Sequence, residues 1–328
     1  MSAATLTETL PNGLKGFVPV QVRALRTTKT DAADLFVQYE SQAAPVLYCR
    51  AGSRPENQQF AELAEGGIES LYVRSDDFSS LSNDVLSSLE TLLQDDGVRR
   101  ADKFAALQIA VAVTLEQSLR LIDCSKFLAI AQNIGDDIVA LLGAGDVVPR
   151  ELFRLARHDF TAFAHVTNVA SYCVMLANEM GICDENELRK IAVGAILHDL
   201  GKRFIPSRIL TKAANLTPEE REIVESHPRR GYAELVEAGG LEFGQLMMVY
   251  QHHERIDGTG YPVQVRENEI HPWAKMLAVV DVFDTMTARR AAGRPATIEE
   301  VLAYLRQQAG THFDSEVVEC WISAMTKT

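Results

Sequence analysis

The 328-residue chain has few cysteines, few aromatics, a deficit of positive charge and no long apolar run. Its five cysteines, Cys49, Cys124, Cys173, Cys183 and Cys320, are odd in number, widely spaced and contain no Cys-x-x-Cys pair. That pattern excludes a disulfide framework and a thiolate zinc site and predicts free, mostly buried thiols. The best apolar stretch, Phe104 to Leu115, is interrupted by Gln108 and falls short of the ~18 consecutive apolar residues a membrane span needs. The first 15 residues show no basic segment followed by an apolar one. The sequence therefore predicts a cytoplasmic protein without a membrane partner. Lys and Arg number 32 against 45 Asp and Glu, a net charge of −13. Such a balance repels DNA, long RNA and anionic membranes unless a local basic stripe intervenes. A small phosphorylated ligand stays compatible, because bound metal ions reverse the field inside one pocket.

What is present describes an ordinary globular chain: 47% hydrophobic, 23% charged, 20 Gly and 11 Pro. This composition and length predict two domains. In the first part, Phe17 to Leu25, Asp34 to Tyr39, Pro45 to Arg50 and Glu69 to Arg74 carry β-branched and aromatic residues between turn formers. With a helix over Glu56 to Glu65, closed by Gly66-Gly67, they predict a small α/β unit. From Ser80 to about Leu142 the apolar positions Phe104, Leu107, Val111, Leu115, Leu119 and Ile122 recur every three or four residues. The segment reads as one long helix or a pair, either an arm of a helical bundle or a signalling stalk that seals a homodimer. Gly143 to Pro149 breaks the pattern and sets the predicted boundary between domains 1–145 and 146–328. The second domain reads as all-helical, with helices through His165 to Met180, Glu187 to Leu200 and Glu242 to His253, and one starting near Pro272. Gly201 is expected in the left-handed position that ends its helix. Thr217-Pro218-Glu219-Glu220 is a capping box opening a further helix, which Pro228 should stop near His227.

Of the eight histidines, His198, His227, His252 and His253 fall in the last turn of a predicted helix or just beyond it. Any one of them alone would be explained by the favourable meeting of imidazole with the negative end of a helix dipole. Asp199, however, is a carboxylate at that same negative end, after a core-like stretch, and needs a compensating cation. Asp281 makes the stronger case. It interrupts the apolar helical run Met276 to Met286, where an isolated carboxylate costs several kcal/mol unless paired or metal-bound. A salt bridge to Arg289 or Arg290 is the alternative to metal ligation. Asp284, one turn on, is placed to orient a ligand from behind. His165, in mid-helix, completes a set of five histidines and two carboxylates without sulfur. Seven donors are too many for one tetrahedral zinc and suit two divalent ions, with Fe or Mn ahead of Zn or Ni and a carboxylate such as Asp199 between them. Lys202, one turn after Asp199, is either a phosphate contact or a solvated lysine at a helix end.

His198-Asp199-Leu-Gly-Lys202, His227-Pro228, His252-His253-Glu254-Arg-Ile-Asp257-Gly-Thr-Gly260-Tyr261-Pro262 and Val280-Asp281-Val-Phe-Asp284 resemble the motifs of the HD-GYP family of HD phosphohydrolases. The resemblance spans about residues 150 to 325. It implies a multidomain α+β protein in which a small α/β domain precedes a helical HD-GYP domain. It also implies that His165, His198, Asp199, His227, His252, His253 and Asp281 ligate two metals, with Asp199 bridging. Asp199 and Lys202 would be catalytic, and Lys202, Gly260, Tyr261 and Arg290 would face a cyclic dinucleotide. The family's reaction is hydrolysis of cyclic di-GMP to pGpG, in some members onward to GMP. Thr161 stands where some members carry a glutamate for a third metal, so two metals are expected. The family's Arg-Pro-Tyr followed by a basic residue is replaced by Arg290-Ala291-Ala292-Gly293-Arg294, which removes an aromatic and shifts the second basic group to Arg294. That departure leaves two alternatives open: a metal-containing sensor or scaffold that recruits a diguanylate cyclase, or a phosphodiesterase for another cyclic dinucleotide.

Overall fold

A computed structural model describes residues 16–27, 31–39, 44–53, 55–68, 70–119, 124–143, 162–210, 212, 215–288 and 296–327. They divide into two units, one holding the described residues up to Leu119 together with 162–164, the other holding 124–143 and everything from His165 onward.

The β-rich segments of the first unit form four short strands, β1 (Phe17–Gln21), β2 (Leu35–Val37), β3 (Val46–Cys49) and β4 (Ser70–Arg74). They pair antiparallel in the order β1-β4-β2-β3. Val18, Val20, Leu71 and Val73 alternate into the core, as the period of two requires. The residues after Gln21, expected as strand, turn instead into helix α1 (Val22–Thr27). Helices α2 (Asn57–Glu65), α3 (Ser75–Gln94) and α4 (Arg100–Leu119) complete the unit. Buried Ser82 of α3 donates to the Ile109 carbonyl of α4, and Lys103 donates to the Leu93 carbonyl at the end of α3.

The stretch read as one or two helices from Ser80 to Leu142 is thus three: α3, α4 and α5 (Cys124–Leu142). Helix α5 does not belong with the first unit; it packs against α7 (Glu185–Leu197) of the second. Residues 144–150, most of the expected boundary, lie outside the described residues. The second unit continues with α6 (Ala162–Glu179), a 3-10 turn at Leu200–Phe204, α8 (Ser207–Leu210), α9 (Pro218–Glu225) and α10 (His227–Ala238). It closes with α11 (Phe243–Gln251), α12 (Pro272–Thr287), α13 (Ile298–Gln308) and α14 (Ser315–Thr326). Tyr172 of α6, Phe283 of α12 and Trp321 of α14 are fully buried with ring centroids 5.1 to 5.8 Å apart. Each contributes roughly 1.5–3 kcal/mol of burial and fixes α12 between its neighbours. Lys275 of α12 pairs with Asp314, the N-cap of α14, at 2.9 Å.

Two local expectations are corrected. Pro228 does not end a helix; it occupies the first turn of α10, where a missing N–H costs nothing, so His227 stands at the junction of α9 and α10. Gly201 is not left-handed but lies within the 3-10 turn. All five cysteines are unpaired, but only Cys124 and Cys173 are buried, while Cys183 is exposed. Among the described residues no helix is long and apolar enough to cross a membrane.

The start of α12 carries a pH-dependent cap. His271 is its N-cap and its Nδ1 accepts from the Trp273 N–H at 3.2 Å, which requires the neutral ring. Burial pushes the His271 pKa below its ordinary 6.5. Between that lowered value and 6.5 the unfolded chain binds the extra proton, so stability rises with pH through this window and is complete above it. His271→Ala is expected to lose about 1 kcal/mol at pH 7.5 and less at pH 5. His271→Asn should keep the cap at both, as urea midpoints would record.

Candidate metal centre

Three helix ends, α6 and the middle of α12 contribute the polar residues of the site. His198 ends α7 and Asp199 follows it; His227 opens α10; His252 ends α11 and His253 follows; His165 lies in the first turns of α6, and Asp281 in mid-α12. His198, His227 and His252 are at most 2% exposed and Asp281 is 8% exposed. These are polar groups that an apolar surrounding tolerates only with partners.

The histidines are held in one tautomer. His198 Nδ1 lies 2.6 Å from the Ala195 carbonyl, His227 Nδ1 2.7 Å from that of Val224, and His252 Nδ1 3.0 Å from that of Val249. A carbonyl can only accept, so each Nδ1 donates, and each neutral ring presents its Nε2 lone pair inward. His165 is oriented by a side chain instead, Nδ1 standing 2.8 Å from Asp284 Oδ2, and its Nε2 becomes a lone pair only when a cation displaces the proton that the two aspartates hold there.

The inward atoms form two groups. In one, His165 Nε2 is 3.3 Å from Asp281 Oδ1, and His198 Nε2 is 4.0 Å from Asp281 Oδ1 and 3.4 Å from Asp199 Oδ2. In the other, His227 Nε2 lies 3.2 Å from His252 Nε2, with His253 completing the set. Asp199 Oδ1 is 3.3 Å from His227 Nε2 and 3.9 Å from His252 Nε2. Asp199 therefore turns one oxygen to each group. Among the described residues Asp281 has His165 and His198 as ion-pair partners; Arg289 and Arg290 lie outside them.

The donor set fits divalent cations. His198 Nε2 and Asp199 Oδ1 are buried without a hydrogen-bond partner. The facing Nε2 atoms of His227 and His252 are both lone pairs when their Nδ1 atoms donate, a repulsive contact that a shared cation converts to attraction. Burial, followed by the neighbouring His253, pushes the His252 pKa well down, so a proton does not settle there. Burial likewise takes His253 down to about 3. Burial alone would lower His165 too, but Asp281 and Asp284 hold its proton and raise it to about 10. Burial would raise Asp199, yet Lys202 and the imidazoles keep it well below the usual carboxylate range. The first group thus carries two carboxylates, the second a trio of imidazoles in which His252 and His253 resist protonation.

Lys202 Nζ sits 2.5 Å from Asp199 Oδ2 and is 39% exposed along its side chain, so it reaches from the centre toward solvent. Tyr261 is brought over the second group, its ring 4.6 Å from that of His253 and 6.4 Å from that of His227. Gly258 has φ of +81°, and a Cβ on Gly260 would stand 2.4 Å from the Arg255 backbone nitrogen, so the loop closes only with glycine at both positions. Arg290, Arg294 and Thr161 lie outside the described residues.

Two residues escaped the sequence reading. Glu254, 2% exposed, accepts from the Val263 N–H at 2.6 Å and the Gln264 N–H at 3.1 Å, clamping the loop after Tyr261. A carboxylate between buried histidines and a turn was the available signal. Asn168, 4% exposed, donates to Asp284 Oδ1 at 3.0 Å. Its place one turn after His165 gave no more than a shared helix face.

The HD domain pattern matches residues 149–317. The chain is 32% identical over 257 residues to the cyclic di-GMP phosphodiesterase response regulator RpfG of Xanthomonas campestris, covering 72% of this chain and 66% of the relative. It is 37% identical over 166 residues to a cyclic di-GMP phosphodiesterase of Thermotoga maritima, covering 50% and 45%. It is 29% identical over 299 residues to the 3′3′-cGAMP-specific phosphodiesterase 2 of Vibrio cholerae, covering 84% and 56%. The chain thus spans about half to two thirds of the length of these relatives. The structure of Bd1817, an HDG"Y"P protein from Bdellovibrio bacteriovorus, superposes with a TM-score of 0.68 at 18% identity over 95% of this chain and 100% of that one, a likeness of fold.

Proposed function

We infer that this chain, which belongs to the HD domain family and to its HD-GYP branch, hydrolyses a phosphodiester of a cyclic dinucleotide, with cyclic di-GMP as the first substrate and pGpG, then GMP, as products. The observation that carries this reading is Asp199, whose two oxygens each face a separate group of buried imidazole Nε2 atoms. His165, His198 and Asp281 would hold one divalent ion, His227, His252 and His253 the other, and Asp199 both. Fe or Mn suits this nitrogen and oxygen set, with Zn and Ni as substitutes. Two such ions supply the Lewis acidity that activates water near neutral pH and offsets charge on a phosphate.

The chain's own residues do the rest. Lys202, anchored by Asp199 and half in solvent, places its ammonium where a phosphate oxygen would enter. Tyr261 offers a flat ring at the mouth for a base or ribose, held rigid by Glu254 behind it. Arg290 and Arg294, which follow α12 in the sequence, would add positive charge. The N-terminal unit would carry the regulatory or dimerisation role, and a diguanylate cyclase is the partner proposed for a form with little turnover.

The relatives divide between cyclic di-GMP and 3′3′-cGAMP, and the aromatic expected after Arg290 is absent, so the second reading is a preference for the mixed dinucleotide. Protein purified anaerobically and loaded with Mn(II) or Fe(II) to two ions per chain is expected to convert cyclic di-GMP to pGpG. Faster cleavage of 3′3′-cGAMP in the same assay would establish the second reading, and cleavage of neither at full loading would overturn both.

A further inference from the structure

Of the four candidate ligand histidines whose Nδ1 partner is defined, three lean on backbone carbonyls, those of Ala195, Val224 and Val249. No substitution can remove those acceptors. His165 alone is oriented by a side chain, Asp284, at 2.8 Å. Asp284 is 5% exposed and has both oxygens engaged, Oδ2 by His165 and Oδ1 by the Asn168 amide at 3.0 Å. Asn168 lies one turn along α6 from His165, so the amide and the imidazole are both carried by α6 and grip the same carboxylate from α12.

We propose that Asn168 is a positioning residue for one metal ion only, acting through Asp284 on His165 and leaving the His227, His252 and His253 group untouched. This rests on the reading of His165 as a ligand. Without the amide, Asp284 loses its donor at Oδ1, and the hydrogen bond through Oδ2 that orients His165 and raises the basicity of its Nε2 is held less firmly. Partners that orient a ligating histidine in this way typically govern metal affinity by about 10–100-fold. The second group does not share this dependence, because His227 and His252 are braced by the backbone carbonyls of Val224 and Val249. The two sites are therefore separable by a change that removes no ligand.

The test is a calorimetric titration of Mn(II) into the metal-free full chain, with ions counted after desalting, for wild type, Asn168→Leu and Asn168→Ser. Wild type should take up two ions. Asn168→Leu, similar in shape but without a donor, should bind one ion unchanged and the other about 10–100-fold more weakly. Asn168→Ser, which keeps a donor, should recover part of the loss. Thermal melts of the metal-free proteins separate positioning from folding, since a purely structural role would lower the metal-free melting temperature and weaken both sites alike. Equal weakening of both ions, or two ions bound as tightly as in wild type, overturns the proposal. A wild type that binds two ions but cleaves no cyclic dinucleotide would sink the functional reading and leave the role of Asn168 standing.

Discussion

Asp199→Ala is expected to leave protein that folds but binds neither ion tightly and turns over cyclic dinucleotide at least ~10³-fold more slowly, beyond the 10–100-fold that follows from losing a residue that merely orients a ligand. The reason is the double use of one carboxylate. Its Oδ2 stands 3.4 Å from His198 Nε2 and its Oδ1 3.3 Å from His227 Nε2, so removing it takes a negative donor from both groups at once. The second group then has only neutral imidazoles to offset the charge of a buried cation. Lys202 also loses its anchor, and because its side chain is 39% exposed the ammonium will swing into water rather than stay at the mouth. Three measurements report together. The metal count per chain should fall from two toward zero, the rise in melting temperature on adding Mn(II) should vanish, and kcat should collapse. Asp199→Asn should do nearly as badly, since the amide keeps the shape but replaces a charged oxygen with a donor that imidazole lone pairs, not cations, would welcome. Burial pushes Asp199 up, but Lys202 and the histidines hold it ionised well below the usual carboxylate range, so its titration will not appear as the acid limb of the rate profile. Retention of two ions and turnover within tenfold of wild type would refute the bridging role.

How much of this was legible beforehand depends on where a residue's signal resides. Asp281 could be read because a lone carboxylate in the apolar run Met276 to Met286 is a local contradiction. His198-Asp199 and His252-His253 could be read because they crowd helix ends, and the structure places both pairs in the centre. The strands of the first unit could be read from β-branched and aromatic residues set between turn formers. The rest depended on contacts distant in sequence. Nothing local distinguishes Pro228 as the start of α10 from Pro228 as the end of α9; the choice is made by the packing of α10 on α11. Asn168 acquires meaning only from Asp284, 116 residues on. The membership of α5 is settled by its contact with α7, which a periodic stripe alone cannot name. Gly201 was understood for the wrong reason, as a left-handed stop, when its backbone has ordinary φ and its lack of a Cβ is what matters.

That difference makes Gly201→Ala the most damaging small substitution expected in the second unit. A Cβ built there would lie 1.9 Å from the His227 carbonyl oxygen, 2.8 Å from the His227 carbonyl carbon and 2.7 Å from the Gly231 nitrogen. All three are backbone atoms, so no side chain can rotate away, and the 3-10 turn must separate from α10 by more than an ångström. Overpacking a core usually costs 1–3 kcal/mol because neighbours give way; here the neighbours are a helix, and a loss of roughly 3–5 kcal/mol is expected. The damage reaches the chemistry directly. The turn begins at Leu200, next to Asp199, and α10 begins at His227, so this close approach of two backbones is what sets Asp199 Oδ1 against His227 Nε2. Prying them apart should weaken the imidazole-trio site before the His165 site. Gly231→Ala provides the control from the opposite side of the contact. Its Cβ would meet the Gly201 nitrogen at 3.0 Å and a Val249 methyl at 3.2 Å, a fit that a few tenths of an ångström relieve, so a loss nearer ~1 kcal/mol is expected. Because both alanines press on one interface, the double variant should be less stable by an amount that differs from the sum of the two. Urea unfolding of the metal-free proteins, with Mn(II) binding measured on whatever remains folded, reads all of this. If Gly201→Ala unfolds within ~1 kcal/mol of wild type and still binds two ions, the tight backbone contact is not what holds Asp199 in register with His227.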